Sequence, residues 1–208
     1  MDLKSFNDLH LINNNLIDIA IIKLIKSQIS EDDIIVFGGD IFNTFNVGLT
    51  NETFYKFISS LKNKIFLLTG NHDWSRGRCS FRNIKYFSKN VKVISGYYYE
   101  DINNYRLHFY NYFRYSTDQK FEIDENQFNV LFSHFDLDTE KVPLNFQSFD
   151  AIINGHIHSF SKNGYFINSG SIRQVAINES RNTRYISLNL DSNKIDYRIN
   201  EIAAARSC

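Results

Sequence analysis

Five of the six histidines in this 208-residue chain fall in four short stretches: Asp8-Leu9-His10, Gly70-Asn71-His72-Asp73, Ser133-His134 and Gly155-His156-Ile157-His158. A fifth stretch, Gly38-Gly39-Asp40, adds a carboxylate between the first and second of these. Imidazole, carboxylate and carboxamide donors without thiolate suit Mn, Fe or Zn better than Ca. A histidine in a turn after a strand is also well placed to transfer a proton. Metal-assisted chemistry with a proton-transfer residue is the first reading, and the clustering carries it more than any one stretch.

Taken singly, the stretches are weak. On extended backbone, Asp8-Leu9-His10 would put carboxylate and imidazole on one side with Leu9 facing the core. Such a triplet also arises by chance and often caps a helix. Asp40 alone reads as a turn aspartate. The turn Gly70-Asn71-His72-Asp73 is more specific, since it aims an amide oxygen and an imidazole into the same space. Two imidazoles at i and i+2, His156 and His158, favour a metal over a stray polar histidine. His134 is ambiguous by itself. His108, in Arg106-Leu107-His108-Phe109-Tyr110, fits no ligand pattern and reads as structural.

The elements that must position these residues are legible from hydrophobic periodicity. Apolar runs at 34–37, 65–68, 130–132 and 151–153 each stop where a polar stretch begins, so four of the five stretches read as strand ends. Ligands gathered from strand ends meet at one edge of an α/β sheet. Asn13-Asn14-Asn15 is expected to cap a helix with Leu16, Ile17, Ala20, Ile21, Leu24 and Ile25. Thr50 is expected to cap a second, with Phe54, Phe57, Ile58 and Leu61 at helical spacing. The first third is thus β-α-β-α-β, which favours right-handed crossovers and a parallel core. Further strands are expected at 91–94, 105–109, 129–132, 151–153, 165–167, 184–190 and 194–199. Two sheets packed face to face would bury that many strands. Residues 111–126 are too polar to assign.

Composition narrows the class. With 43% hydrophobic and 22% charged residues, the chain reads as soluble and globular, long enough for a sizeable core. The longest apolar stretch, 19–25, is broken by Lys23, and no membrane span is expected. The first residues show no secretory signal, and two cysteines, Cys79 and Cys208, give no disulfide framework, which points to the cytoplasm. Residues 203–208 match nothing before them and read as a disordered or non-native tail. Net charge is zero, so no global attraction to nucleic acid is expected. Between Trp74 and Tyr99, however, Arg76, Arg78, Arg82, Lys85, Lys89 and Lys92 occur with no acid. That run is either solvated surface or a strip along an anionic substrate. The acidic residues between 118 and 140 read as plain surface.

In this order, the motifs resemble the calcineurin-like metallophosphoesterase superfamily, whose pattern runs DxH, GD, GNH(D/E), a strand-end H and GHxH. The resemblance spans Asp8 to about Ser171, where Asn168-Ser169-Gly170-Ser171 looks like the small-residue turn that follows GHxH. It implies an α/β fold, a four-layer αββα sandwich of two mixed β-sheets flanked by helices, here one domain over residues 1–202. It also implies a metal-dependent hydrolase of phosphoester bonds. Two divalent ions would be held, Mn²⁺ being the usual activator in relatives and Fe, Zn, Mg and Ni the alternatives. One ion would take Asp8, His10, Asp40 and His158, and the other Asp40, Asn71, His134 and His156, with Asp40 bridging. Ions about 3.5–4 Å apart lower the pKa of a bridging water for in-line attack and clamp the phosphoryl oxygens. His72 is implied as general acid. One departure stands out. Relatives often read GDxxD or GDxxH, the last residue orienting the catalytic histidine, whereas this chain reads Gly39-Asp40-Ile41-Phe42-Asn43. Asn43, if it faces His72, can accept a hydrogen bond but brings no charge, so either Asp73 takes that part or His72 is a less effective acid.

The resemblance also sorts substrates. The Ser/Thr protein phosphatase branch carries GDxHG, GDxVDRG and GNHE, and this chain has no glycine after His10, no DRG, and Asp73 for Glu. GDIFN, GNHD and GHIH followed by Gly170-Ser171-Ile172-Arg173 look most like SbcD-type nucleases. A phosphodiesterase acting on DNA, RNA or a nucleotide leads, and a small-molecule phosphomonoesterase is the second reading. A non-catalytic scaffold would lose ligands, and all seven positions are filled. Trp74, Arg76 and Arg78 are the candidate substrate contacts, Trp74 by stacking on a base or else as a loop anchor.

Overall fold

A strand whose residues are all buried must be covered on both faces. The strands β2 (Ile34–Gly38) and β3 (Ile65–Leu68) meet that condition along their whole length. The computed structural model describes residues 1–12, 15–44, 49–75, 78–81, 84, 88–94, 96–111, 119–136, 146–173 and 182–203. In it β1 (Asp2–Phe6), β2, β3 and β6 (Val91–Val93) run parallel in a first sheet. The antiparallel strands β13 (Asn182–Asn189) and β14 (Tyr197–Ala203) complete it in the order β14-β13-β1-β2-β3-β6. A second sheet holds β8 (Tyr105–Tyr110), β9 (Phe128–His134), β10 (Ala151–Gly155) and β12 (Phe166–Asn168), all parallel. Its edges are the antiparallel strands β7 (Tyr97–Ile102) and β11 (Ser161–Asn163). A short hairpin, β4 (Trp74–Ser75) with β5 (Arg78–Cys79), stands apart.

The expected β-α-β-α-β start is present, with α1 (Asn15–Ser27) and α2 (Leu49–Ser59) as the crossovers. Helix α2 begins at Leu49, so Thr50 lies within its first turn rather than capping it. Asn13 and Asn14, expected as caps of α1, lie outside the described residues. Ile21 and Ile25 of α1 and Phe54, Phe57 and Ile58 of α2 bury against Ile35, Phe37, Ile65 and Leu67 on one face of the first sheet. Its other face, with Leu3, Val36, Phe66 and Leu68, packs on Leu107, Phe109, Val130, Phe132 and Ile153 of the second sheet. At the centre Phe66 stacks on Phe109, ring centroids 4.3 Å apart, and Phe109 stacks on Phe132 at 5.4 Å. The far face of the second sheet, Leu131, Ile152 and Phe166, is covered among the described residues by Phe121, Phe146 and Phe149. The two mixed sheets face to face are the expected sandwich.

Five strands depart from the sequence expectation, the two- and three-residue β4, β5 and β11 among them. Strand β7 was not expected, because as an edge strand it is half exposed and carries Glu100 and Asp101 in its middle. Strand β14 lies at Tyr197–Ala203 instead of 194–199, since 191–196 form the turn that returns from β13. Ala203, read in the sequence as the first residue of the tail, is the last residue of β14, and residues 204–208 lie outside the described residues.

Parallel strands end on the same side of a sheet, so the topology delivers the ends of β1, β2 and β3, and of β9, β10 and β12, to one edge of the sandwich. The sheets meet there directly, His134 donating its Nδ1–H to the carbonyl of Gly38 at 2.8 Å.

Because Phe66 is fully buried between the sheets, Phe66→Ala is expected to cost about 3–5 kcal/mol in urea denaturation, and Phe66→Leu much less. A loss below about 1 kcal/mol for the alanine variant would mean the sheets do not depend on this stack.

Candidate metal centre

Beyond the end of β1 the chain continues alongside the end of β2. Asp8 donates its backbone N–H to Gly39 O at 3.1 Å, His10 to Asp40 O at 3.0 Å, and Leu11 to Ile41 O at 2.9 Å. Leu9 and Leu11 are buried in the core under the helices and pin the loop from below. Asp8 and His10 are thereby set beside Asp40. The backbone is not extended, as the i, i+2 spacing suggested. Asp8, His10, Asp40 and His156 have φ of 53°, 44°, 48° and 73°. The left-handed region costs a non-glycine residue roughly 1–2 kcal/mol. The fifth such residue described, Asn103, lies in the β7–β8 turn, where asparagine is tolerated. Strain gathered on donor-bearing residues marks a site whose side-chain directions matter more than backbone comfort.

Two glycines make the crowding possible. Gly39 has φ 98°, and a Cβ there would lie 2.5 Å from His134 Nδ1. A Cβ on Gly70 would lie 2.0 Å from Asp40 Oδ1.

The donors fall into two triads, Asp8–His10–His158 and Asp40–His134–His156, the ligand atoms within each lying within 4.8 Å of one another. In the first, the Nε2 atoms of His10 and His158 face each other at 3.0 Å. In the second, Asn71 Oδ1 stands 3.0 Å from His156 Nδ1 and 3.4 Å from His134 Nε2. Asp40 faces both triads. Its Oδ1 accepts the His72 backbone N–H at 2.9 Å, while Oδ2 lies 3.3 Å from His134 Nε2 and 3.9 Å from His10 Nε2. All seven expected ligand residues are thus brought together.

The charges fit a cation. Asp8 and Asp40 are buried, and among the described residues their ion-pair partners are histidines, never lysine or arginine. Burial pushes the Asp8 carboxyl up to about 8. Burial disfavours charge on His134, but Asp40 and Asp8 outweigh it and raise the imidazole to about 9. Burial would raise Asp40 too, and His134 overrides it, holding the carboxyl at about 2. Burial lowers His10 to about 4 and lowers His156 as well. Packed oxygen and imidazole donors around carboxylates that no described lysine or arginine pairs form a set that divalent cations satisfy.

His72 sits at the rim with 39% of its side chain exposed. Its Nδ1 meets the backbone carbonyl of Asn43 at 2.6 Å, and its Nε2 lies 4.0 Å from Asp40 Oδ2. The orienting contact thus comes from the main chain of residue 43, not from its side chain. The Asn43 backbone is held in turn by its N–H to Leu11 O at 2.9 Å. Asp73 does not take that part either. It is fully buried, and its carboxylate accepts the backbone N–H groups of Gly70, Phe42 and Ile41 at 2.9, 3.2 and 3.4 Å. It clamps the loop after β2 to the loop after β3. Burial pushes it up to about 7. Trp74, half buried, and Arg78, exposed, lie on the β4–β5 hairpin right after the His72 turn. Arg76 lies outside the described residues. His108, read as structural, is buried in the second sheet between Tyr97 Oη at 2.8 Å and Asn129 Oδ1 at 3.1 Å.

A layer of buried polar residues behind the donors was not foreseen. Asn154 accepts from Ser133 Oγ at 2.8 Å and Phe135 N at 3.0 Å, and donates to Asn168 Oδ1 at 2.9 Å. Asn7 donates to Ser169 Oγ, and Ser171 Oγ donates to the Asp8 carbonyl at 2.9 Å. Asparagines ending fully buried strands, as in Ala151–Gly155 and Phe166–Asn168, were the available signal.

Residues 4–160 match the family model described as calcineurin-like phosphoesterase. The chain belongs to the calcineurin-like phosphoesterase family. As a member it is a metal-dependent hydrolase of phosphoesters. It is 27% identical to the SbcD component of the nuclease SbcCD from Staphylococcus epidermidis over 79% of this chain, and it spans 57% of that relative's length. Its fold matches that of an archaeal phosphodiesterase, with TM-score 0.55, 15% identity and coverage of 97% of this chain and all of the other. It also matches the phosphoesterase Yfce from E. coli, with TM-score 0.52, 14% identity and 99% and 100% coverage. No described helix of this calcineurin-like phosphoesterase is long and apolar enough to cross a membrane.

The metal-free protein is expected to lose stability as pH rises from about 6.5 to about 9. Asp8 and His134 both have folded pKa values above their unfolded ones, so the folded state holds extra protons and stability falls as they leave. The lowered groups, His10, His156 and Asp40, complete their effects below that window. Melting temperatures of chelator-treated protein across it should decline, and a rise would show the buried charges are wrongly assigned.

Proposed function

We propose that this chain hydrolyses phosphodiesters with two divalent ions, Mn²⁺ in the first instance, which Asp40 would share. Asp8, His10 and His158 complete one ion's donors, and Asn71, His134 and His156 the other's. The observation that carries this reading is Asp40 Oδ2, which reaches toward His134 of one triad and His10 of the other. Ions bound there would supply Lewis acidity, lowering the pKa of water and neutralising phosphoryl oxygens.

The chain's own part begins with His72. The Asn43 carbonyl accepts the Nδ1–H whether the ring is neutral or cationic, so the ring is fixed and Nε2 faces the centre as the atom that exchanges a proton. That proton goes to the departing oxygen. Asp73 holds the two loops in register so that His72 and Asp40 keep their distance. Trp74 and Arg78 follow at the rim and would meet the rest of the substrate.

Diesters are preferred over monoesters on the motif style of GNHD and GHIH and on the likeness to a nuclease component. The catalytic unit spans residues 1–202, and the substrate is a nucleic acid strand or a nucleotide, met in the cytoplasm. A panel of bis-p-nitrophenyl phosphate, p-nitrophenyl phosphate, cyclic nucleotides and single-stranded DNA with Mn²⁺ tests this. Faster turnover of the monoester than of every diester would overturn the diester reading in favour of a small-molecule phosphatase.

His72→Asn is expected to keep bound metal and lose about 10²–10⁴-fold in rate on alkyl esters, and less on nitrophenyl esters, whose leaving group needs little protonation. Equal losses on both would remove His72 from proton transfer. Asn43→Asp is expected to leave the pH–rate profile in place, because the contact to His72 is made by the main chain. A displaced alkaline limb would show that the side chain reaches the ring.

A further inference from the structure

The loop after β12 is fastened beneath the donors. Ser171 donates its N–H to His158 O at 3.1 Å and its Oγ–H to Asp8 O at 2.9 Å, and Ile172 donates to Asn7 O at 3.2 Å. Arg173 ends this staple, and its Nη1 donates to the backbone carbonyl of His10 at 2.6 Å. The guanidinium is therefore fixed beside the first triad by main-chain bonds that do not depend on any ligand.

Its charge has no ion-pair partner among the described residues. Among the described residues the half-buried Arg173 has no carboxylate within ion-pair distance and no hydrogen bond from Nε or Nη2. Burial lowers the guanidinium below its ordinary value, and Asp18 opposes this from longer range. The other described arginines behave differently. Arg106 pairs with Asp101 and Arg184 with Glu201, while Arg78 and Arg198 are exposed. A partly desolvated guanidinium with unused donors is an anion site, and its fork suits phosphate oxygens.

We propose that Arg173 binds a second phosphate of the substrate, next to the one being hydrolysed. The proposal rests on the diesterase reading above and deepens it. Among the described residues the Arg173 guanidinium bonds to the main chain of His10 and to none of the donor atoms, so the anion it would hold lies beside the first triad rather than between the two triads. A substrate with phosphates in series fills both places. A nucleic acid strand and a nucleoside polyphosphate share that chemistry.

Arg173→Gln and Arg173→Lys, assayed with Mn²⁺, test this on three substrates: bis-p-nitrophenyl phosphate, the trinucleotide TpTpT and diadenosine tetraphosphate. Loss of one charge-assisted contact should raise KM for a multiphosphate substrate about tenfold or more with a smaller change in kcat. The single-phosphate diester should suffer much less, and lysine should recover part of the loss. Whether the trinucleotide or the tetraphosphate shows the rise identifies the source of the second phosphate. An equal loss on all three substrates together with lower metal content would make Arg173 a loop staple only and overturn the proposal. Calorimetric binding of a phosphorothioate TpTpT needs no turnover. It therefore reads Arg173 even if the wild type cleaves no diester, which would sink the diesterase reading alone. Unchanged affinity in Arg173→Gln would sink this one.

Discussion

Everything at the active edge answers to one electrostatic constraint, the burial of Asp8 and Asp40 with no lysine or arginine among the described residues to pair them. A buried carboxylate without a counter-charge is costly, and such groups otherwise neutralise by shifting their pKa. Without metal the site does this, with Asp8 pushed up to about 8 and a proton held on His134 against Asp40. The four left-handed donor-bearing residues and the glycine contacts are the structural cost of packing the donors this closely. A cation relieves the cost, so metal binding and folding of this edge are coupled.

The sandwich exists to bring the donors to that edge. Three parallel strands from each sheet end there. The Phe66–Phe109–Phe132 stack fixes the spacing between the sheets, and the His134 to Gly38 hydrogen bond closes it at the active end. Behind the donors, Asn154, Asn168 and Ser133 satisfy one another within the second sheet. A buried polar network is stabilising only when each member has a partner, and this one holds the strand ends rigid where side-chain aim matters.

Much of this was legible in the sequence because the strands leading into the site are buried on both faces. Continuous apolar runs such as 34–37 and 65–68 have no other plausible home, and polar residues after them had to lie in loops. The edge strand β7 escaped for the opposite reason, its outward face being charged. Its one local signal was Asn103-Asn104, a pair suited to the tight turn into β8. Within the site, residue types revealed the donors but not the direction of main-chain groups. The gap at Asn43 looked like a missing acid, and the fold fills that place with a carbonyl. Asp73 looked like a partner for His72, yet three backbone N–H groups claim it. Arg173 was visible only as part of a motif, since a long side chain reaching back to the first loop leaves no trace in sequence spacing.

The central claim is that Asp40 joins two ions. Anomalous diffraction from crystals soaked in Mn²⁺, recorded at the manganese edge, tests it most directly. The account predicts two peaks per chain, one beside Asp8, His10 and His158 and one beside Asn71, His134 and His156, with the Asp40 carboxylate within bonding distance of both. A single peak, or two peaks with Asp40 bound to only one, would contradict it.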